Sequence, residues 1–360
     1  MPPYAPFVND GPDAVAALLR GSDHFVLTGH APIDGDGLGS ALGLARALRL
    51  AGKTATVVSD APVPNMLRWL PGASDVVRFT PGAYASDPRL SDTEALLCFD
   101  SGDTTRLGGP HRELPASAIV VNVDHHVTNT GYGHVNWVDG AAPSVGAMVF
   151  QLVRSMGLPV DPDVALPLYL SLVEDTGRFS YSNTTPAALR IAADLVEAGA
   201  DPETITNHLF RNEDLATMRL RARCVDRLET AADGRLVTTY VTMADLSELG
   251  LLEGDQGREM VEVAIGLAGS EVGILFRGLE PLQGTKASFR SKTDFDVAAI
   301  CVARGGGGHK KASGCTIKDD DLARVRRTLT AEVAAALSRH APEARHPSES
   351  KAAERRPAGA

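Results

Sequence analysis

The sequence predicts an α/β fold, with a mainly parallel sheet flanked by helices, and three observations predict it. Short apolar runs alternate with amphipathic stretches along the first half of the chain, as in strand–helix–strand units. Several of these runs end directly on aspartate or histidine, which is typical of the carboxyl edge of a parallel sheet. Hydrophobic residues make up 44% of the 360 residues and charged residues 22%, which indicates a globular chain with a large core.

The chain is expected to form two α/β domains, because a second and smaller alternating set begins after a helical stretch. The last residues are mostly Pro, Ala, Glu, Arg and Ser, a composition that predicts disorder. The predicted segments are a first domain at 1–185, a helical connector at 186–225, a second domain at 226–340 and a disordered tail at 341–360.

Charge and cysteine content limit the classes of function. The net charge of −10 argues against a broad basic surface for long nucleic acids but allows a small anionic ligand. No C-x-x-C pair occurs among the scattered cysteines, and no basic leader or long apolar run is found. We therefore expect a cytoplasmic protein without a disulfide framework, a structural zinc site or a membrane segment.

The first candidate site is a glycine-rich loop between a predicted buried strand at 24–28 and an amphipathic helix. It carries His30, Asp34 and Asp36. Two aspartates this close repel each other unless a cation lies between them, and Mn²⁺ takes oxygen ligands together with imidazole. Two other interpretations stay open: a plain turn, and a degenerate dinucleotide fingerprint with Ser40 in the place of the third glycine.

Further carboxylates follow other predicted elements. The apolar run at 94–100 ends on Asp100, while Asp103 is interpreted as a cap of the next segment. Asp175 ends a predicted helix just before Gly177, which would fix the direction of the carboxylate. A solvated helix end with a glycine cap would give the same pattern.

The apolar run at 118–123 leads directly into Asp124, His125 and His126. On a turn, adjacent side chains diverge, so one imidazole can bind metal while the other faces a ligand. A preceding aspartate can orient an imidazole from behind. Together with the earlier carboxylates, this triplet favours a metal site over a structural histidine.

A candidate anion-binding site lies in the second predicted domain, in a strand at 287–291 and a glycine-rich stretch at 304–314. Glycines let backbone N–H groups approach an anion, and neighbouring cations add charge. A flexible linker is the alternative, although apolar segments flank the stretch, and neither a Walker loop nor a zinc site fits the spacing. The expected ligand-binding residues are Arg290, Ser291, Gly306, Gly307, Gly308 and His309.

These motifs, in this order and spacing, resemble those of the DHH phosphoesterase superfamily. The resemblance implies two divalent ions, most often Mn²⁺ with Mg²⁺ or Co²⁺ as alternatives, which share an aspartate and activate a water. Asp36, Asp100 and His126 would be catalytic, with His126 facing the substrate phosphate and Asp124 orienting a histidine. The implied metal ligands are His30, Asp34 and Asp100 for one ion, and Asp36, Asp100, His125 and Asp175 for the other.

The Arg-Ser and Gly-Gly-Gly-His pieces of the second domain look like the DHHA1 domain of this superfamily, which holds the far end of the substrate. The compact two-domain organisation resembles the subgroup of bifunctional oligoribonucleases and 3'-phosphoadenosine 5'-phosphate (pAp) phosphatases, which implies short oligoribonucleotides and small nucleotides as substrates, and a homodimer. Cyclic di-AMP or its linear product pApA is the alternative substrate. A nucleotide-binding regulator without turnover is a third hypothesis, but every implied ligand is present.

Overall fold

The structure is a computed structural model that describes residues 7–251, 260–279 and 282–340. The chain divides into two compact units between Asn212 and Glu213, and each unit contains a six-stranded sheet. The expected α/β fold with a parallel sheet is therefore confirmed. The predicted disordered tail at 341–360 lies outside the described residues.

The first unit alternates strands and helices along most of its length. Its elements, in chain order, are α1 (Gly11–Gly21), β1 (His24–Gly29), α2 (Gly35–Leu50), β2 (Thr54–Ser59), β3 (Val77–Arg78), α3 (Ala83–Ser86), β4 (Ala95–Phe99), α4 (Gly109–Arg112), β5 (Ile119–Asp124), β6 (Val135–Val138), α5 (Val145–Ser155), α6 (Pro162–Asp175), α7 (Pro186–Glu197) and α8 (Pro202–Phe210). Short 3-10 turns occur at Asn65–Leu67, Ala73–Asp75 and Thr104–Arg106.

The sheet of the first unit has the strand order β3-β2-β1-β4-β5-β6, and every neighbouring pair is parallel. The chain moves outward from β1 to β3 and then returns to place β4 on the other side of β1. This reversal opens a crevice at the carboxyl ends of β1 and β4, where open α/β sheets bind ligands. Loops that follow β1, β4 and β5 therefore meet at one edge.

Helices α2 and α6 pack closely because α2 carries glycine at the contact. A Cβ atom at Gly39 would lie 2.3 Å from the carbonyl oxygen of Pro167, and one at Gly43 would lie 2.5 Å from the Leu168 side chain. The absence of these side chains lets the two backbones approach. As a result, the amino end of α2 and the carboxyl end of α6 lie beside each other.

The second unit is built on a mixed sheet with the order β11-β12-β10-β9-β8-β7, in which only β8 and β9 pair in parallel. Its elements are α9 (Leu215–Asp226), β7 (Glu229–Ala231), β8 (Leu236–Val241), α10 (Met243–Leu249), α11 (Val261–Ile265), β9 (Val272–Gly278), β10 (Thr285–Ser291), α12 (Val297–Val302), β11 (Gly307–His309), β12 (Ala312–Ile317) and α13 (Leu322–Arg339).

The helical stretch predicted as a connector is divided between the two units: α7 and α8 belong to the first unit, and α9 belongs to the second. The domain boundaries at 185 and 225 stay a prediction. Within the described part of the chain, no helix combines the length and apolar character needed to cross a membrane.

Candidate metal centre

The acidic and histidine residues predicted from strand ends gather at the carboxyl edge of the parallel sheet. The loop after β1 and the start of α2 carry His30, Asp34 and Asp36, and the residue after β4 is Asp100. The end of β5 adds Asp124, His125 and His126, and α6 ends on Asp175. Their side-chain donor atoms form small groups in which all atoms lie within 4.8 Å of one another.

The first group consists of His30, Asp34 and Asp100. His30 Nε2 lies 2.9 Å from Asp34 Oδ2 and 3.4 Å from Asp100 Oδ2. Burial opposes ionisation of Asp34, but the hydrogen bond with His30 leads the effects that outweigh burial and lower the pKa of Asp34 to about 2. Asp34 also caps α2, since its Oδ1 accepts a hydrogen bond from Gly37 N at 3.1 Å.

The Asp34 cap argues against the interpretation of the loop as a dinucleotide fingerprint. A carboxylate already occupies the amino end of α2, where a dinucleotide fingerprint would place a pyrophosphate. The two anions would repel each other at this position. The loop is thus suited to a cation rather than to a bare phosphate.

The second group consists of Asp36, His125 and Asp175. His125 Nε2 lies 3.0 Å from Asp175 Oδ2 and 3.8 Å from Asp36 Oδ2, while Nδ1 donates to the carbonyl oxygen of Ala142 at 3.2 Å. That contact fixes the ring and leaves Nε2 directed at the carboxylates. Burial lowers the pKa of His125, but the surrounding carboxylates outweigh burial and raise it to about 11.

Asp36 is completely buried and is held by backbone and hydroxyl donors. The amino end of α5 donates from Val145 N at 2.9 Å and Gly146 N at 3.1 Å, and Ser171 Oγ donates at 2.5 Å. Despite these donors, burial and the nearby charge of Asp175 raise the pKa of Asp36 to about 7. A cation beside Asp36 would remove this penalty on the charged form.

Asp100 lies between the two groups and offers one oxygen to each. Its Oδ2 faces His30, while its Oδ1 lies 3.6 Å from His125 Nε2 and 3.4 Å from His126 Nδ1. The residue has a left-handed backbone with φ of 54°, which is costly for a non-glycine residue. Burial and the neighbouring carboxylates hold the pKa of Asp100 well above its usual range. This is the position that a carboxylate bridging two cations would occupy.

Asp124 lies behind the histidine pair, and its role in orienting a histidine stays a prediction. It is fully buried, and its Oδ1 lies 2.8 Å from His126 Nδ1 and accepts from the backbone N–H of His125 at 2.8 Å. Asn129 donates to the other oxygen at 2.5 Å. Although burial opposes ionisation, the hydrogen bond from His126 leads the effects that lower the pKa of Asp124. The carboxylate is therefore anchored, and one of its oxygens lies within 4.8 Å of donor atoms of Asp100 and His126.

Several residues of this centre could not be predicted from the sequence motifs. Ser171 and Asn129 reach it from separate elements, and Arg106 lies 2.8 Å from His30 Nδ1 through its Nη2 atom. Glu174 accepts a hydrogen bond from Gly35, and burial of its carboxyl group together with Asp34 and Asp175 raises its pKa well above the usual range. Of these residues, only Glu174 could have been suspected from the sequence, because it directly precedes the predicted ligand Asp175.

The predicted anion-binding residues of the second unit come together around a hairpin. Gly307, Gly308 and His309 form β11, which pairs with β12, so this stretch is not a flexible linker. Ser291 N donates to the carbonyl oxygen of Lys311 at 2.9 Å, which joins the end of β10 to the hairpin tip. Arg290 Nε donates to Glu262 Oε1 at 3.0 Å.

Two positions in this stretch require glycine because a Cβ atom would lie too close to neighbouring backbone. A Cβ atom at Gly306 would lie 2.2 Å from the carbonyl oxygen of Gly314, and one at Gly308 would lie 2.5 Å from that of Ala312. The role of these residues in ligand binding stays a prediction.

By fold and donor set, carboxylates and imidazoles gathered at the switch point of a parallel sheet define an α/β protein with a candidate site for divalent metal ions. Residues 24–172 match the DHH family, N-terminal domain. The chain is 34% identical over 296 residues to the "Bifunctional oligoribonuclease and PAP phosphatase NrnA" of Thermus thermophilus, which covers 81% of this chain and 84% of that protein. The chain therefore belongs to the DHH family of phosphoesterases, in the group that includes NrnA.

Two further similarities extend this finding. The "Cyclic-di-AMP phosphodiesterase PdeA" of Listeria monocytogenes is 25% identical over 89% of this chain and 49% of that protein. The crystal structure of an exopolyphosphatase-related protein from Bacteroides fragilis has a TM-score of 0.82 and 21% identity, and the match covers 91% of this chain and 97% of that chain. The second similarity shows the fold alone.

Proposed function

We propose that this protein is a Mn²⁺-dependent phosphohydrolase that releases mononucleotides from short oligoribonucleotides and converts pAp to AMP. The position of Asp100 supports the proposal most directly, because its two oxygens face two separate groups of donors. One carboxylate between two such groups is an arrangement suited to two-metal phosphoryl transfer. The oligoribonuclease and PAP phosphatase named above supports the choice of substrates.

Two ions would be held by the two groups of donors. His30, Asp34 and Asp100 fit one ion, and Asp36, Asp100, His125 and Asp175 fit the other. Oxygen-rich sets with an imidazole suit Mn²⁺, and Mg²⁺ or Co²⁺ could replace it. When bound, such ions acidify a water and offset the charge of phosphoryl oxygens.

The residues of the chain itself position these groups and handle the substrate. Asp36 stays in place because α5 and Ser171 hold both of its oxygens. His126 is oriented by Asp124, and we assign to it a hydrogen bond to a phosphoryl oxygen of the substrate. In this arrangement no side chain is assigned as a strong base for the attacking water. The positioning of charge therefore carries most of the catalysis.

The second unit is assigned to the far end of the substrate, as a DHHA1 domain. The hairpin of β11 and β12 presents exposed His309, and Arg290 and Ser291 end the strand beside it. A guanidinium and an imidazole are suitable partners for a second phosphate or a carboxylate-like anion. We also propose that the protein is a homodimer, which sedimentation equilibrium would test.

Cyclic di-AMP is the second candidate substrate, and similarity to the cyclic-di-AMP phosphodiesterase PdeA favours it. That protein is about twice as long as the matched region, since the match covers 49% of it. The identity of 25% is also lower than the 34% found for the oligoribonuclease. We therefore place cyclic di-AMP, or its linear product pApA, behind short RNA and pAp.

The experiment that tests the proposal is a side-by-side turnover assay of the purified protein with Mn²⁺. The substrates are a diribonucleotide, pAp, cyclic di-AMP, pApA and pyrophosphate, with Asp100→Asn as the inactive control. Mononucleotide release from the diribonucleotide and AMP release from pAp, both lost in the control, are expected. Faster hydrolysis of cyclic di-AMP would assign the protein to that substrate. Absence of hydrolysis with bound Mn²⁺ would contradict the enzyme assignment.

A further inference from the structure

Arg106 reaches the metal centre from a short turn. Its Nη2 atom lies 2.8 Å from His30 Nδ1, and its carbonyl oxygen accepts from Ala31 N at 2.7 Å. The 3-10 turn that ends on Arg106 begins after Asp103, whose Oδ1 accepts from Thr105 N at 2.7 Å. The segment that follows Asp100 therefore delivers a cation to His30.

The hydrogen bond between Arg106 and His30 is incompatible with the use of His30 as a neutral metal ligand through Nε2. A guanidinium has only donors, so His30 Nδ1 must accept. A neutral imidazole that binds metal through Nε2 carries its proton on Nδ1 and gives it to an acceptor. His125 follows that pattern with the carbonyl oxygen of Ala142, whereas His30 faces a donor.

We propose that Arg106 binds the phosphate of the substrate, for which its guanidinium would turn from His30 to the anion. The Arg106 side chain is exposed, so it can rotate without disturbing the core. It carries five N–H groups in a planar fork that matches two oxygens of a phosphate. This role rests on the proposed function, because it names a further residue for the same substrates.

Arg106 also discriminates between the two proposed substrates. The 3'-phosphate of pAp is a monoester that carries more negative charge near neutral pH than the diester of a diribonucleotide. An added cation stabilises the more highly charged group more strongly. Arg106 therefore favours pAp over the diribonucleotide, and its removal shifts the ratio of kcat/KM values towards the diribonucleotide.

The test compares Arg106→Gln and Arg106→Lys with the parent protein and with Arg112→Gln, an exposed arginine on the neighbouring helix α4. Three quantities are measured: Mn²⁺ affinity by calorimetry, binding of inorganic phosphate to the Mn²⁺-loaded protein, and kcat and KM for pAp and a diribonucleotide. Arg106→Gln is expected to keep its Mn²⁺ affinity, to bind phosphate about 10- to 100-fold more weakly and to raise KM for pAp by a similar factor. Arg106→Lys should recover part of the phosphate binding, and Arg112→Gln should match the parent.

Two results would overturn the role of Arg106. Weaker Mn²⁺ binding with unchanged phosphate binding would make Arg106 a support for the His30 ring. Unchanged values throughout would remove Arg106 from the site altogether. The phosphate measurement needs no turnover, so a protein that hydrolyses neither substrate would contradict the proposed function while Arg106 is still tested.

Discussion

Ser171 donates a hydrogen bond of 2.5 Å to Asp36, and both side chains are completely buried. Ser171 comes from the middle of α6 and Asp36 from the first turn of α2, so the contact joins two elements that carry metal ligands. Ser171 also accepts from Gly146 N at 2.9 Å. The Ser171 hydroxyl therefore fixes the direction of the Asp36 carboxylate and also favours its charged form.

Ser171→Ala is expected to lower Mn²⁺ affinity by about 10- to 100-fold, because residues that orient ligands have effects of this size. The matched control is Ser155→Ala, an exposed serine at the end of α5. Calorimetric titration with Mn²⁺ measures both variants. Parent-like affinity in Ser171→Ala would show that α5 alone positions Asp36.

Asp100→Asn is expected to disrupt both groups of donors at once, because each oxygen of Asp100 faces a different group. We expect the bound Mn²⁺ to fall by more than one ion per chain and kcat to fall by about 10³-fold or more. Metal analysis after gel filtration measures the first quantity and the pAp assay measures the second. Asp163→Asn, a half-exposed carboxylate at the start of α6, is the control.

Retention of one tightly bound ion in Asp100→Asn would contradict a bridging role. It would mean that one group of donors binds metal without Asp100. His125 and Asp175, which lie 3.0 Å apart, would then be sufficient with Asp36.

The strand-end residues could be predicted because apolar runs show where each strand stops, and parallel strands bring their carboxyl ends to one edge. Asp100 follows β4 directly, and the histidine pair follows β5. The donors to Asp36 could not be predicted in this way. Val145 and Ser171 are 109 and 135 residues from Asp36 in sequence, so only the packing of α5 and α6 against α2 brings them to it.

Arg106 and the glycine-rich stretch show the same limit. Arg106 lies in a polar turn, and the sequence pattern of the turn does not indicate where the side chain points. Its contact with His30 joins residues that are 76 positions apart in the sequence. The glycines at 306 and 308 suggested a loop, but their close approach to Gly314 and Ala312 places them at a hairpin. Hydrophobic periodicity cannot indicate a strand of three residues in which two are glycine.

Metal binding at pH 7 is expected to release protons. His125, with a pKa raised to about 11, is protonated at this pH, and Asp36, with a pKa raised to about 7, is half protonated. A metal ion must displace these protons to reach its ligands. Calorimetry in buffers with different ionisation enthalpies should detect release of about one to two protons, and Mn²⁺ affinity should rise with pH.

The same pKa values predict how the metal-free protein responds to pH. Both groups bind protons more tightly in the folded protein than in the unfolded chain, so their stabilising contribution is present at low pH. It is lost as pH rises through about 7 for Asp36 and towards about 11 for His125. Thermal unfolding of the metal-free protein should show Tm falling as pH rises through about 7 and towards about 11. With Mn²⁺ bound, Tm should fall less over the same pH range. A metal-free Tm that rises over it would contradict this sign.

Arg290→Ala and His309→Ala are expected to weaken substrate binding without loss of metal, because neither residue is among the metal ligands proposed above. Loss of a charge-assisted hydrogen bond predicts a rise in KM for pAp of about 10- to 100-fold. Glu262→Gln is a useful companion, since it removes the carboxylate that Arg290 contacts at 3.0 Å. A fall in Mn²⁺ content in Arg290→Ala or His309→Ala would contradict a role limited to substrate.

Asp245 stabilises the second unit as the buried member of a partly exposed network of ion pairs. Its carboxylate is only 4% exposed and accepts from Arg223 at 2.7 Å, and from Arg227 at 2.5 and 2.8 Å. Thr242 completes a capping box at the start of α10. Burial opposes ionisation, but the hydrogen bonds from Arg227, Thr242 and Arg223 outweigh it and lower the pKa of Asp245.

Asp245→Asn is expected to lower the free energy of unfolding of the second unit by about 1–3 kcal/mol at pH 7, because two partly exposed arginines lose a charged hydrogen-bond partner. The depressed pKa means that the stabilising effect is present above the ordinary pKa of aspartate and is lost as pH falls below it. The parent and the variant should therefore differ less at acid pH. Hydrogen–deuterium exchange of amides in β8 and α9 measures the loss, with exposed Asp226→Asn as control. Equal protection of these amides at pH 7 would show that the arginines find other partners.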